Sequence, residues 1–347
     1  MSDTTVSGTR LTAPARGAET ATPSPASAKR VGRMRAYVPV LVTMAVLTLL
    51  PHVGLSNRHV HLAVICLIWT MAAYGLFVPY AFAGQMTVAI VTAWGVGAFT
   101  TGIFVKYWDW PFLGCLGLAI VFSFAAGALM AMPILRTKGH YFVIVTFVIA
   151  EAVTVVANNW SVTAGRGGSG MSIPKQIDIF GVEFASRTSV FYLCLGVVAV
   201  MALGVVWLRG SDLGKLFVSI RENEELARSI GIETTWLKIF SLAIGASLAG
   251  IAGVFYAFYL SHIDIHGFGV NQAITLILIV VIGGRQSILG PVVGAAVAYY
   301  LPEIIKLDPN RVLIAYGAAL CVMVIVLPTG ILGGIEAGWR KLTRRGS

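Results

Sequence analysis

The sequence predicts an all-α polytopic membrane protein with about ten transmembrane helices and with both termini in the cytoplasm. Of its 347 residues, 57% are hydrophobic and only 12% are charged. A soluble domain with so few charges would expose large apolar patches and aggregate. Apolar runs of about 20 residues, the length that crosses a bilayer, recur from Ala36 to the C-terminus. These runs indicate repeated membrane spans.

The two ends of the chain differ from the apolar middle. Residues 1–35 are rich in Ser, Thr, Ala and Pro and contain no aromatic residue, so they bury too little surface to order themselves. We therefore predict a disordered cytoplasmic tail over 1–35, and a basic cytoplasmic tail over 331–347. A cleaved signal peptide is the alternative for the first segment, but 35 residues are long for the charged region of a signal.

Residues 36–330 are predicted to form one transmembrane domain. Its ten spans are expected near 36–55, 60–80, 86–105, 111–134, 140–157, 189–208, 239–260, 271–284, 287–304 and 311–328. The segments near 271–284 and 287–304 are short, so a broken or re-entrant segment is an open interpretation for each. Two connections are long: 158–188 is predicted outside and 209–238 inside.

The distribution of basic residues sets the predicted orientation. With the N-terminus inside, 18 of the 25 lysine and arginine residues fall on the inner side and seven on the outer side. An odd number of spans would move the basic C-terminal tail outside, so the even number is favoured. The net charge of +10 then reflects topology, and no nucleic-acid partner is predicted.

Motifs for other functions are weak in this sequence. The run Gly165–Gly170 fits a dinucleotide fingerprint, but it lies in a predicted external loop without the required strand and helix. "GSDLGK" lacks the spacing and the Ser or Thr of a phosphate-binding loop. The external "HIDIH" stretch, His262–His266, contains zinc-ligand residue types, yet alternating residues in a short loop favour no metal site. We predict no metal, no cofactor and no catalytic centre in this chain.

Glu151 is a residue within the predicted spans that does indicate a function. It lies in the middle of a predicted span, "FVIVTFVIAEAVTVVANNW", where a carboxylate costs about 2.5–3.5 kcal/mol on insertion scales. Such a residue usually faces the interior of a helix bundle and marks a transport path. A structural glutamate that bonds to a neighbouring helix is an equally good interpretation at this point.

Two glycine-interrupted apolar stretches occupy corresponding places in the two halves of the chain. They begin at Gly84 ("GQMTVAIVTAWGVGAF") and at Gly283 ("GGRQSILGPVVGAAVAYY"). Paired interruptions of this kind indicate a transport path between internal repeats, although the repeat itself is weak. The candidate path residues are Glu151, Gly84, Gln85, Gly95, Gly97 and Gly294.

The segment 211–238, "SDLGKLFVSIRENEELARSIGIETTWLK", contains five of the fifteen acidic residues. On a helical wheel Leu216, Ile220, Ala227 and Ile230 share one face. Arg221, Glu222, Glu225 and Arg228 share the other face, and Gly231 is a helix terminator. We therefore predict a short amphipathic helix on the cytoplasmic surface. Because acids and bases are mixed on its polar face, it suits a groove on a partner protein better than an anionic lipid surface.

The segment 211–257 resembles the cytoplasmic loop and following span of LivM-type permeases of branched-chain amino acid ABC transporters. Further matching stretches, in family order, are "YAFAGQMTVA", "LRTKGHYFVIVTFVIAEAV", "NNWSVTAGRGGSGMSIP", "VVIGGRQSILGPVVGAAV" and "VLPTGILGG". Together they cover about 36–335. The ordered set is specific, whereas each stretch alone is loose.

The resemblance implies a non-enzymatic permease subunit in the bacterial inner membrane. Its implied partners are two cytoplasmic ATPases that bind the ATP, a second, LivH-type permease and an external solute-binding protein. The implied ATPase-coupling residues are Arg221, Glu222, Glu224, Glu225, Arg228 and Gly231. The stretch Thr87–Ala93 lacks the Ser and His often found after the family's "GQ", and the loop His262–Val270 lacks the usual proline. These departures leave a branched-chain amino acid, urea, an amide or an aromatic acid open as the substrate.

Two other functions remain as alternatives on sequence alone. An ion-coupled secondary transporter would use Glu151 as its proton-carrying residue. An integral-membrane enzyme would need a catalytic constellation, and no such motif is present.

Overall fold

The structure is a computed structural model, and it consists almost entirely of helices. It describes residues 25–48, 57–132, 140–160, 163, 170–173, 177–179, 182–184, 186–305 and 330–333. The helices are α1 Pro25–Thr48, α2 Asn57–Phe77, α3 Ala89–Trp108, α4 Phe112–Ala131, α5 His140–Asn159, α6 Arg187–Gly210, α7 Asp212–Glu222, α8 Glu224–Ser229, α9 Thr234–Leu260, α10 Val270–Gly283 and α11 Gly290–Ile305. A π-helical turn, Val78–Phe82, extends α2, and a 3₁₀ helix, Ile265–Phe268, precedes α10.

Four two-residue strands complete the described elements. They are β1 Met171–Ser172, β2 Asp178–Ile179, β3 Val182–Glu183 and β4 His262–Ile263. β1 pairs antiparallel with β4, with Met171 opposite Ile263, and β2 pairs antiparallel with β3. The pairing of β1 with β4 joins the predicted external loop to the turn after α9.

Seven of the described helical segments are long and apolar enough to cross a membrane. Helix α1 adds a shorter apolar stretch, Tyr37–Thr48, and α11 falls below the length of a full span. The predicted span near 311–328 lies outside the described residues. The multi-pass helical class is thus confirmed, whereas the number of ten and the cytoplasmic termini stay predictions.

The first helix begins earlier than the sequence analysis expects. α1 starts at Pro25, so 25–35 are helical, although 1–35 is predicted to be disordered. The tail composition of 25–35 is overridden because this segment is continuous with the apolar run that follows it. Residues 1–24 and 334–347 lie outside the described part of the chain.

Helix α9 is the centre of the bundle and packs most extensively against α4, α3 and α2. Small residues allow these close approaches: a Cβ atom added to Gly97 of α3 would lie 2.6 Å from Gly250 Cα of α9. Likewise, a Cβ on Gly75 of α2 would lie 2.8 Å from the Ala249 Cβ. Backbones that approach this closely gain van der Waals contact that lipid cannot replace.

This packing gives a prediction with a matched control. Gly97→Ala is expected to destabilise the protein by about 1–3 kcal/mol, because the added methyl overpacks the contact with Gly250. Gly117→Ala on α4 has no heavy atom within 4 Å of the new methyl group and should be as stable as wild type. Thermal unfolding in detergent, followed by size-exclusion chromatography, measures both. Equal melting temperatures for the two variants would contradict the packing argument.

Contacts between connections identify the two ends of the bundle. At one end, Arg221 bonds to the Ala81 carbonyl and Arg209 bonds to the Gln286 carbonyl. We call this end, which holds 83–88, 211–233 and 284–289, the lower end. The other end, which holds β1 and β4, is the upper end. The predicted inner segment 209–238 therefore lies opposite the part of the predicted outer loop 158–188 that forms β1.

The predicted span near 271–284 is one continuous helix, α10, and a break in the backbone precedes it. The 3₁₀ helix Ile265–Phe268 is separated from α10 by Gly269, whose extended backbone (ψ −165°) ends one helix and begins the next. α10 then forms a close hairpin with α11 through the lower-end turn 284–289. Gly294 of α11 fits this hairpin because its Cα faces the Ile279 backbone of α10 directly.

Candidate functional site: the lower-end helices and the exposed face of α5

The charged segment forms two helices, where the sequence analysis expects one. The break lies at Asn223, which adopts an extended backbone (φ −156°, ψ 101°). The Asn223 Oδ1 accepts a hydrogen bond of 3.0 Å from the Leu226 N–H and so caps α8. The Ser211 Oγ caps α7 in the same way through the Gly214 N–H. Asn and Ser stabilise helix starts by bonding otherwise unpaired N–H groups.

The break changes which residues are buried. Ile220 and Ala227 are buried as predicted, and Phe217 is fully buried on the same side. Leu216 is only half-buried, and Ile230, which the helical wheel assigns to the buried stripe, is 69% exposed. The wheel is wrong at Ile230 because it assumes one uninterrupted helical period through Asn223.

Arg221 points toward the bundle, although its place on the polar side of the helical wheel predicts that it faces a partner. Its Nη1 donates to the Ala81 carbonyl at the end of α2, and its side chain is only 30% exposed. Gly84 lies directly against it: Gly84 has φ +71°, and a Cβ there would be 2.9 Å from the Arg221 Cγ. Arg221 therefore fastens α7 to the loop that follows α2.

A second set of polar contacts holds α8 against the start of α9. Glu224 pairs with the Lys238 Nζ at 2.6 Å and with the Arg228 Nη2 at 3.5 Å. Arg228 also donates to the Thr234 Oγ1 at 3.2 Å. Burial alone would raise the pKa of Glu224. The hydrogen bond and charge of Lys238, together with the charge of Arg228, outweigh this effect, so the pKa of Glu224 is lowered. Glu224 and Arg228 therefore bond within this chain and hold α8 against α9, and we call these contacts the braces.

These braces leave a small mixed face of the two helices in solvent. Glu222 and Glu225 are exposed, and the apolar side chains Leu226 and Ile230 are 60% and 69% exposed. Leu226 and Ile230 are four residues apart, so they lie on one side of α8 and its C-terminal turn. We call these four residues the α8 face. Gly231 follows with φ +86°, which confirms it as the terminator of this segment.

A substitution at Glu224 tests the brace. Glu224→Gln is expected to loosen α8, because the neutral amide loses both ion pairs with Lys238 and Arg228. Glu225→Gln is the matched control, since Glu225 makes no ion pair among the described residues. Limited proteolysis of 211–233 in detergent should be faster only for Glu224→Gln. The brace of the wild type is present at neutral pH and is lost as the pH falls through the lowered pKa of Glu224.

Helix α5 has an exposed apolar face. Tyr141, Ile144, Val148 and Val155 are each at least 57% exposed, and they lie three, four or seven residues apart on one side. Glu151 lies on this same side and is partly exposed. Among the described residues it has no hydrogen-bond or ion-pair partner. Within this chain Glu151 is therefore only partly covered by the bundle, whereas the usual expectation is an interior position.

A cavity of about 240 Å³ lies between α3, α5 and the 3₁₀ helix. Its lining is mostly apolar and includes Phe99, Phe268 and Trp160. Val153 and Thr154, which follow Glu151 on α5, also line it. The residues that contribute to its wall therefore come mainly from α3 and α5, with Ile265 and Phe268 from the 3₁₀ helix before α10.

The candidate path residues separate into four environments. Gly95 lines the cavity, where a Cβ would lie 3.1 Å from the Phe268 Cγ. Gly97 and Gly294 lie in helix–helix contacts and serve packing. Gln85 is buried beside Gly84 at the lower end, and its side-chain amide has no partner among the described residues. The structure thus brings only Gly95 to the cavity and leaves Glu151 on the adjoining face.

The sequence alone did not predict the helix break at Asn223 or the contact between Glu224 and Lys238. A signal for Asn223 was present, because Asn followed by two glutamates is a typical helix start. Phe217 carried no comparable signal, since its burial depends on packing against the bundle.

Seven apolar helices packed through small residues define a multi-pass membrane protein. Residues 59–333 match the family described as the permease component of branched-chain amino acid transport systems, and the chain belongs to that family. The match covers the bundle from α2 onward, the lower-end helices and the described residues of the upper end, and leaves α1 outside.

Similar proteins carry related names. The chain is 28% identical to the high-affinity branched-chain amino acid transport system permease protein LivM of Salmonella typhimurium, over 80% of this chain and 70% of that protein. It is 27% identical to LivM of Escherichia coli K12, over 84% and 74%. It is also 22% identical to the LivH permease protein of Salmonella typhimurium, over 65% and 74%. No solved structure matches the chain.

Proposed function

We propose that the chain is the membrane-spanning permease subunit of an ABC importer in the bacterial cytoplasmic membrane. Two ATPase subunits would bind at the lower end and hold the ATP, so this chain would need no cofactor and catalyse no reaction. An external solute-binding protein would deliver substrate at the upper end. Family membership and the α8 face support this proposal together.

The α8 face is the observation that carries the proposal. Two apolar side chains, Leu226 and Ile230, are held in water on a short helix that ion pairs brace against α9. Exposing Leu226 and Ile230 to water does not stabilise an isolated protein, whereas a groove on an ATPase would bury both side chains. Glu222 and Glu225 would form the polar rim of that contact. The braces would transmit movement of α8 to α9, the central helix of the bundle.

The exposed face of α5 supports a second permease as partner. A carboxylate that faces lipid at mid-span costs about 2.5–3.5 kcal/mol, and a subunit interface or an aqueous path removes that cost. A second, LivH-type permease on this face would enclose Glu151 and the neighbouring cavity between the two subunits. This chain resembles both LivM and LivH proteins, so two permeases of one fold can face each other across the path.

The substrate proposed is a branched-chain or related amino acid. Two LivM relatives are named for branched-chain amino acid transport, and the cavity between α3 and α5 has a mostly apolar lining that suits an aliphatic side chain. Glu151 would supply a charge for the polar end of the substrate. Both termini would be cytoplasmic, as the distribution of basic residues predicts.

Transport in proteoliposomes tests the proposal. The chain is purified with its co-expressed partners, and uptake of radiolabelled leucine is measured with ATP inside the vesicles or with a proton gradient alone. We expect uptake only with ATP and with the binding protein added. Uptake driven by the proton gradient without ATP would refute the proposal and favour the ion-coupled carrier, which the family match does not support.

A further inference from the structure

A second cavity, of about 680 Å³, opens at the lower end and differs in chemistry from the one beside α5. Basic side chains from three elements line it: Arg209 lies in the last turn of α6, Lys215 and Arg221 belong to α7, and Arg285 lies in the turn between α10 and α11. Glu222 is the one acidic residue among its lining residues. We call this cavity the basic cleft.

The charges in the basic cleft are only partly compensated. Lys215 pairs with Asp212 at 2.5 Å, and Arg221 lies 3.7 Å from Glu222. Within the described residues, Arg209 donates to the backbone carbonyl of Gln286 and to no acidic side chain. Arg285 has no hydrogen-bond or ion-pair partner among the described residues. Two guanidinium groups therefore face the cleft without an acidic partner in the described part of the chain.

The wall behind these charges is apolar. It is formed by Phe77, Ala81 and Phe82 at the end of α2, by Val218 of α7 and by Ile288, and the polar residues Ser219 and Gln286 complete the lining. A cleft with guanidinium groups on one side and aromatic and aliphatic groups on the other matches a ligand that is itself both anionic and apolar. Arginine binds phosphate through two parallel N–H···O bonds, which a lysine cannot supply.

The cleft also lies at the depth of lipid headgroups. Phe82 is the last residue of the span Asn57–Phe82, and Arg209 is next to the last residue of the span Arg187–Gly210. The phosphate groups of a leaflet lie at the ends of spans, and basic pockets between helix ends on the cytoplasmic side are suited to anionic headgroups. The chain's own C-terminal tail is a poor counter-charge, because 331–347 contains four basic residues and one acidic residue.

We propose that the basic cleft binds a phosphate group, presented by an anionic lipid of the inner leaflet. Arg209 and Arg285 would hold the phosphate, and Phe82 and Val218 would contact the apolar part of the lipid. Because Arg221 and Glu222 border the same cleft, a bound lipid would stabilise α7 in the position seen here. The choice of the inner leaflet rests on the proposed function, in which the lower end is cytoplasmic, but not on which substrate the protein carries.

The test uses the full chain, purified with its partners in a neutral detergent, and native mass spectrometry with added lipid. Wild type is expected to retain cardiolipin and to retain phosphatidylcholine much more weakly. Arg285→Gln should weaken cardiolipin binding by about tenfold, the usual effect of losing a charged hydrogen bond. Arg285→Lys should lose less. Lys106→Gln is the matched control. Lys106 lies in the last turn of α3 at the upper end, whereas the cleft is at the lower end of the bundle.

The competing outcomes are distinct. Displacement of cardiolipin by millimolar inorganic phosphate would assign the site to the phosphate group itself, whereas resistance would show that the lipid's apolar part also binds. Equal cardiolipin binding by wild type and by the double variant Arg209→Gln/Arg285→Gln would overturn the proposal. An equal loss in Lys106→Gln would also overturn it, since binding would then be non-specific. Loss of the ATPase with unchanged cardiolipin would instead assign the cleft to the ATPase contact.

Discussion

Replacing Leu226 and Ile230 together by glutamate is expected to separate the ATPase from the permease and to abolish ATP-driven uptake. Each side chain is at least 60% exposed in this chain, so neither contributes much to its folding. Burying a Leu or Ile side chain in a partner groove contributes about 1.5–3 kcal/mol. Losing both, with two new charges in the contact, should weaken ATPase binding by at least about a hundredfold.

Copurification of the ATPase and substrate-stimulated ATP hydrolysis in proteoliposomes measure this effect. Leu226→Met with Ile230→Leu is the matched control, because it keeps the apolar volume and should retain both activities. Reversing Arg221 and Arg228 would be less informative, since these residues bond within the permease to Ala81 and Glu224. Wild-type copurification of the double glutamate variant would show that the α8 face does not contact the ATPase.

The sequence was sufficient to predict the membrane class and the positions of most spans. Apolar length and basic residues are local signals, and a bilayer allows few alternatives to a helix. The early start of α1 and the break at Asn223 were not predicted, because each depends on a competition between local signals. At Asn223, a side chain that caps the following helix outweighs the continuation of the preceding one.

The roles of individual site residues were harder to predict than their location. The sequence identified Arg221 and Glu224 as unusual charges, but it did not identify their partners. Ala81 is far from Arg221 along the chain, and Lys238 is one of several basic residues near Glu224. The same difficulty applies to the glycines. Gly95 and Gly97 are two residues apart, yet one lines a cavity and the other touches α9. Only the rotation of α3 against its neighbours determines which is which.

Glu151 on the exposed face of α5 is expected to contribute to substrate uptake. If this face lines the path between two permeases, Glu151→Gln should lower leucine uptake by about tenfold, the usual loss when a charged hydrogen-bond partner becomes neutral. The amount of assembled complex should not change, because Glu151 has no partner within the described part of this chain. Glu151→Asp, which keeps the charge, should retain most of the uptake. Loss of assembled complex in Glu151→Gln, with normal uptake by what remains, would instead make Glu151 a structural residue of the subunit interface.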